Sequence, residues 1–493
     1  IVKTQSVVQI AETSNEKLIA RLVVSLMALL LLFSWFPAFG LPLGNSHEGR
    51  VLGQFALHMK NFWSMGMVSS SFGASWEPFS DVPYTHHPPA LTFLHVFVST
   101  LAGEGLRQIK LISYTAGIVT VPALYWMGRN LGINAKAVLL SVLLLLTTPW
   151  WWLYGRLGLG LLPNILMIGT IWAATLNPTK RRIVLASIAT FFAIAASWHG
   201  VFLMPFLWFH AWHRRKFDRL TLSLIGVGVV GGLVILIWVS QGGGFSEFGE
   251  HFGERVERDW TWGQFVQRQW DFATSLLPFW YTILAVPAFL LGIIDSRTRY
   301  LTTSLTLMVL VFAIVPSNGA WIHNYWNFPI LLALFPGFAI MGEWVMSLMN
   351  EKFQSISHQT TKLISPVIFL LLFLALVANL HPKHLHEDYF VKKSDAGRLV
   401  AEVELSDSQR IAWHLPQVPW PTWVSHEWSL PTSSLSSALD LGTVPLDDII
   451  LLRIDRLPDW IDSEIESALE REKGDYGIVR ASVMKNYTNG MQK

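Results

Sequence analysis

Eleven runs of apolar residues dominate this 493-residue chain, at roughly 18–39, 109–127, 134–152, 160–176, 183–197, 200–212, 219–240, 272–294, 300–316, 326–349 and 362–380. A run of about twenty such residues crosses a bilayer as a helix, because the hydrocarbon offers no partner for backbone N–H and C=O groups and a helix satisfies them internally. The runs predict a polytopic α-helical membrane protein with about eleven transmembrane helices. Composition agrees: 52% of residues are hydrophobic and 14% charged, with 24 Trp and 30 Phe, which lies outside the range of soluble domains. The formal net charge of +2 gives no polycationic surface for nucleic acid. The chain contains no cysteine, so disulfides, thiolate chemistry and Cys-ligated zinc are excluded.

Lys3 and Lys17 precede the first run and Arg21 lies in its first turn; the run lacks the small-residue exit of a secretory signal and is read as a retained helix with its N-terminus in the cytoplasm. Lys and Arg concentrate in cytoplasmic loops, and "GRNLGINAK" (128–136), "NPTKRR" (177–182), "HRRKFDR" (213–219), "DSRTR" (295–299) and "EKFQSISHQTTK" (351–362) all fall on one side if the runs above cross. The segment 88–103 fits only as a helix in the outer interface, because a crossing there would invert every later loop. The runs 183–197 and 200–212 read as a short hairpin turning at Ser197–Gly200 on the outer side. Polar chemistry therefore collects on the extracytoplasmic face: 41–110 as a first external loop with interfacial helices, the turn at Arg156, the turn at His199, the loop 241–271, and 317–327. A transmembrane domain spans 1–380. From 381 to 493 charge, Pro and Ser rise, and strand-like runs at 410–415, 448–454 and 477–484 around an amphipathic stretch at 460–473 predict a small extracytoplasmic α/β domain.

Within the first external loop, "NSHEGR" places His47, Glu48 and Arg50 just past the first run, and "SDVPYTHHPPAL" adds Asp81, His86 and His87, stiffened by Pro88 and Pro89. An acidic residue at a helix end is most often a solvated interfacial group. A carboxylate and several imidazoles between an embedded and an interfacial helix also make a site for proton transfer or cation binding. The loop 241–271 carries a glycine hinge and then Phe245, Phe248, Phe252, Trp260, Trp262 and Phe265 among charges, which suits an interfacial aromatic belt or a lid.

Taken in order, "H-E-x-R", "Y-x-H-H-P-P-A-L", "Y-G-R-L-G-L-G", "S-W-H-G" and "H-N-Y-W-N-F-P" resemble the GT-C superfamily of polyprenyl-phosphate-dependent glycosyltransferases, nearest to the glycosyltransferase family 39 branch of protein O-mannosyltransferases and aminoarabinose transferases. The resemblance covers about 18–350. It implies a membrane enzyme that moves a sugar from a dolichyl- or undecaprenyl-phosphate donor to a protein, lipid or glycan acceptor hydroxyl on the outer or lumenal face, with inversion. By the same resemblance Glu48 is the catalytic carboxylate, assisted by His47, which stands where relatives carry a second acid. Arg156, His87, His199 and His323 become candidates for the donor phosphate, and Arg50, Asp81, His86 and Tyr325 for substrate binding. With one acid in the first motif, and Pro163 and Asn164 where the second turn often supplies another, a hard-cation cage is poorly furnished; no metal or other cofactor is expected. Two alternatives stay open: a transporter or flippase of lipid-linked sugars, and a ligase that takes a whole glycan from a lipid diphosphate.

Overall fold

The computed structural model describes residues 14–40, 47–70, 88–103, 106–157, 161–241 and 244–352, and short pieces between 371 and 483. The helices are α1 Ser14–Trp35, α2 His47–Met65, α3 Ala90–Ala102, α4 Leu106–Asn130, α5 Ala135–Leu146, α6 Pro149–Tyr154, α7 Leu161–Leu176 and α8 Lys180–Ala196. They continue with α9 Trp198–Arg215, α10 Arg219–Gln241, α11 Gly244–Val256, α12 Trp262–Leu276, α13 Phe279–Ile294, α14 Arg299–Ile314, α15 Ser317–Ile322 and α16 Ile330–Lys352.

Among the described residues four segments are long and apolar enough to cross a membrane, 14–39, 107–130, 219–241 and 330–348. The protein is a multi-pass integral membrane protein. Its α10 is apolar on all sides and leaves Val229, Val230, Leu233, Leu236 and Ile237 exposed, as a helix facing lipid does. By contrast α16 lies at the centre, with Leu331, Leu332, Ala333, Phe335, Phe338 and Ala339 buried. It packs on α5 and α13, and the Ser141 hydroxyl donates to the Phe335 carbonyl at 2.7 Å.

Two of the expected spans are broken in the structure. The run 134–152 divides into α5 and α6 at Thr147 and Thr148, where the Thr148 hydroxyl caps the Trp151 N–H and Pro149 takes the first position of α6. The run 272–294 divides at Leu277, extended at φ −116° and ψ 131°, before Pro278, so α12 and α13 meet at 112°. In each case the residue before proline is driven out of the helical region, which a count of apolar residues does not register. The hairpin expected at Ser197–Gly200 forms as α8 and α9, each longer at its basic end than predicted. Gly200 permits its tight corner: a Cβ there would stand 2.2 Å from the Ala193 carbonyl oxygen. At 13 residues, α3 is about 20 Å long against a core of about 30 Å, consistent with an interfacial helix.

Four of the predicted basic loops, 128–136, 177–182, 213–219 and 295–299, share one end of the bundle. Arg297 pairs with Asp295 at 2.9 Å and with Glu343 at 2.6 Å, and donates to the Gly132 carbonyl at 3.1 Å. Glu343 also accepts the Asn134 N–H, and Lys136 meets Glu16 at 3.4 Å. Burial alone would lower the Arg297 guanidinium; the hydrogen bonds and charges of Asp295 and Glu343 outweigh it and hold the group above its ordinary value. Nearby, Tyr300 lies 4.9 Å from His213 and 5.1 Å from His210, whose ring stacks on Trp172 at 4.2 Å. The ends of α7, α9 and α16 and the starts of α1, α5 and α14 thus lie together.

Beyond residue 400 the described strands are β1 Ile411–Trp413, β2 Ser429–Pro431, β3 Ile449–Arg453, β4 Arg471–Lys473 and β5 Tyr476–Arg480, in one sheet of order β2-β1-β3-β5-β4. Pairs β1–β2 and β1–β3 are parallel, and β3–β5 and β4–β5 antiparallel. The three predicted strands coincide with β1, β3 and β5. The end of the stretch read as amphipathic, 460–473, is instead strand β4, paired with the apolar strand β5; most of the rest of that stretch lies outside the described residues.

Candidate functional site

At the end of the bundle away from the basic loops, α6 runs through Trp150, Trp151 and Trp152, all buried, into a tight turn at Gly155–Leu157 that carries Arg156. Gly117 lets α4 come against this turn, since a Cβ there would lie 2.7 Å from both the Gly155 carbonyl oxygen and the Trp35 ring. Arg156 is buried, 1% exposed, with its guanidinium carbon 5.6 Å from the Tyr114 ring centre and 5.8 Å from that of Trp35. Those rings pack at 5.8 Å, and Phe39 meets Tyr114 edge-on at 4.6 Å. One helical turn before Tyr114, Lys110 is fully buried and donates to the Ala38 carbonyl at 2.7 Å. Two cations are thus held inside the aromatic end of α1 and α4, and Lys110 carried no sequence signal beyond being basic.

A second set of polar groups joins this turn from the late part of the chain. The Tyr154 hydroxyl, beside Gly155, donates to Asn324 Oδ1, and its ring lies 5.7 Å from Tyr325 and 6.2 Å from Phe328. His323 lies 4.9 Å from Tyr325 and stacks on Trp326 at 6.1 Å. Burial raises the Tyr325 phenol above its ordinary value, with the Arg255 charge acting the other way, so it is a neutral donor at neutral pH. His199 reaches the same segment: Nε2 is 3.4 Å from the Trp326 carbonyl and Nδ1 3.0 Å from the Ser197 hydroxyl. A carbonyl only accepts, so the Nε2 proton points to Trp326; burial lowers the imidazole pKa to about 4, so His199 is neutral at pH 7 and its Nδ1 accepts from the Ser197 hydroxyl. His199, His323 and Tyr325, far apart in sequence from Tyr154, therefore form one connected patch with it, two residues before Arg156.

The helices α11 and α12 pack beside this patch. Thr261 and Gln264 form a capping box that starts α12. Trp260 stacks on Trp321 at 5.4 Å and on Phe265 at 4.9 Å. Arg258 lies over Trp262 at 4.5 Å and donates to the Ser317 hydroxyl at 3.0 Å. Gln269 donates to the Ala320 carbonyl at 2.7 Å and accepts from Asn327. The loop read as a belt or lid is thus two helices docked on α15 and the segment after it.

The other predicted residues belong to the first external loop. His47, Glu48 and Arg50 open α2, which packs on α3, α4 and the Gly155–Leu157 turn; their side chains lie outside what the structure describes. Asp81, His86 and His87 lie outside the described residues. Joining their two helices is a buried relay in which Gln54 meets His58 Nε2 at 2.9 Å and His58 Nδ1 meets the Thr92 hydroxyl at 3.3 Å, beside Phe55 stacked on His95 at 4.6 Å. Neither His58 nor His95 stood out in the sequence.

No protein-family model matches the sequence, and no curated protein matches it. Similarity lies in the fold. ArnT from Cupriavidus metallidurans bound to undecaprenyl phosphate superposes with a TM-score of 0.63 at 14% identity, over 93% of this chain and 98% of that one. The likeness to ArnT is one of fold. ArnT in the apo state gives a TM-score of 0.59 at 12% identity, over 94% and 98%. The Archaeoglobus fulgidus oligosaccharyltransferase, in complex with Zn and sulfate, gives 0.50 at 12%, over 88% of this chain and 68% of that one.

Proposed function

We propose that the protein is an inverting membrane glycosyltransferase that takes a sugar from a polyprenyl phosphate and delivers it to an acceptor hydroxyl on the extracytoplasmic face. The observation that carries this reading is the buried Arg156, in an aromatic cage and linked through Tyr154 to His323, Tyr325 and His199, at the end of a GT-C fold opposite the basic loops. That ArnT, of the same fold, is found bound to undecaprenyl phosphate supports a lipid-phosphate donor. The basic loops make their own end cytoplasmic, and the reading keeps eleven spans within 1–380 and an extracytoplasmic α/β domain at 381–493.

Glu48, assisted by His47, takes the proton of the acceptor hydroxyl as that oxygen attacks the anomeric carbon from the side opposite the phosphate. The anomeric C–O bond breaks with its electron pair going to the polyprenyl phosphate, and configuration inverts. Arg156 offsets the charge that develops there; a guanidinium stays ionised and can grip phosphate with two parallel hydrogen bonds. His87, His323 and His199 are further donors, the last by exchanging its long bond to Trp326. Arg50, Asp81, His86 and Tyr325 hold the sugar and acceptor. No metal is assigned: one carboxylate among imidazoles is a poor oxygen cage for a hard cation.

The oligosaccharyltransferase fold match favours a second reading, a ligase that moves a whole glycan from a lipid diphosphate. Incubating the purified protein with synthetic polyprenyl-phosphate sugars, and in a parallel reaction with polyprenyl-diphosphate glycans, each with an acceptor extract, decides between them. Release of polyprenyl monophosphate with equimolar glycoconjugate, undiminished by EDTA, supports the first; release of polyprenyl diphosphate supports the second. A protein that moves labelled lipid-linked sugar across vesicles with neither product is a transporter.

A further inference from the structure

At the other end of the molecule, α1 and α4 leave a cavity of about 310 Å³ lined by Lys17, Arg21, Tyr125, Trp126 and Arg129. We propose that this cavity binds the headgroup phosphate of an anionic phospholipid from the leaflet of the basic loops. Nothing in sugar transfer calls for it, since Arg156 lies at the opposite end of the bundle.

Three cations from two different helices converge on one space. Lys17 and Arg21 stand four residues apart on α1, a like-charged spacing that destabilises a helix unless an anion lies between the two. Glu16, beside Lys17, pairs with Lys136 at 3.4 Å. Arg129 is fixed by donation to the Ile133 carbonyl. Tyr125 and Trp126 complete the wall with rings of the kind that settle at headgroup level.

The surroundings favour a lipid over a soluble phosphate. From the cavity an exposed apolar row runs along α1 through Leu18, Leu22, Leu26 and Leu29, with Trp126 and Val119 exposed beside it on α4. Both helices are long and apolar enough to cross a bilayer, so acyl chains can lie along that seam while the phosphate sits among the cations. Basic pockets between membrane helices on the cytoplasmic side bind acidic headgroups in this manner.

The test is lipid binding by the purified, delipidated full chain, read by native mass spectrometry and by thermal unfolding. Phosphatidylglycerol should be retained and should raise the unfolding midpoint, whereas phosphatidylcholine and inorganic phosphate should do neither. The double variant Lys17→Gln/Arg21→Gln, which removes two of the charges, should bind phosphatidylglycerol about thirtyfold more weakly. Arg21→Lys, which keeps the charge, should bind nearly as the wild type and serves if the double variant misfolds. Equal phosphatidylglycerol binding by the double variant and the wild type, loss of binding in Arg21→Lys equal to that of a charge removal, or an equal response to phosphatidylcholine or to inorganic phosphate alone, would overturn the proposal.

Discussion

At one end of the bundle Arg297 lies between Asp295 and Glu343; at the other Arg156 lies between the rings of Trp35 and Tyr114. Two carboxylates neutralise a guanidinium and turn it into a strut, and here the strut ties the loop 295–298 to the loop 131–134 and to α16. Ring faces stabilise a cation by about 0.5–2 kcal/mol each without cancelling its charge. Lys110 is buried nearby. The same residue type thus serves architecture at the basic end and, in the proposed reading, chemistry at the opposite end.

If the two ends lie on opposite sides of the membrane, cysteine labelling gives an all-or-none answer, and a chain without native cysteine makes it clean. Gly105→Cys is expected to react with an impermeant reagent added outside intact cells, and Asn177→Cys only after permeabilisation; the reverse pattern would invert the assignment. Next in size is Arg156→Met, expected to slow sugar transfer about 10²- to 10³-fold, as loss of one charge-stabilising donor does, with Arg156→Lys intermediate because it keeps charge but not the fork. Rates measured on purified protein at matched unfolding midpoints check this. Glu343→Gln removes one carboxylate from Arg297 and should cost about 1–2 kcal/mol of stability while leaving transfer within about twofold; thermal unfolding and the transfer assay read the two effects separately. A larger loss of transfer than of stability there would erase the distinction between the ends. Smallest is Tyr154→Phe, which deletes the bond to Asn324 at a cost of about 1 kcal/mol and should raise the donor KM about fivefold with kcat little changed.

Much of the transmembrane layout was legible. The runs at 109–127 and 219–240 became the cores of α4 and α10, because hydropathy decides such helices. The grouping of the basic loops was legible too, and the ion network from Glu16 to Glu343 gives it a physical form. What escaped were events that hydropathy does not encode. Thr148–Pro149 and Leu277–Pro278 break apolar runs through backbone geometry. The bond from Tyr154 to Asn324 spans 170 residues, and no local pattern carries a contact of that range. Lys110 read as a loop charge because a basic residue near a helix end is usually solvated; its burial follows only from the approach of α1 to α4. The motifs around Arg156, His199, His323 and Tyr325 were each weak alone, and the fold brings them into one patch.

The role of Glu48 is the central chemical claim, and its measurement is transfer by Glu48→Gln. The substitution keeps size and removes the base, so purified Glu48→Gln should insert, unfold at the wild-type midpoint and release polyprenyl phosphate about 10²- to 10⁴-fold more slowly than the wild type. A folded, inserted Glu48→Gln that turns over polyprenyl-phosphate sugar at the wild-type rate would contradict the account.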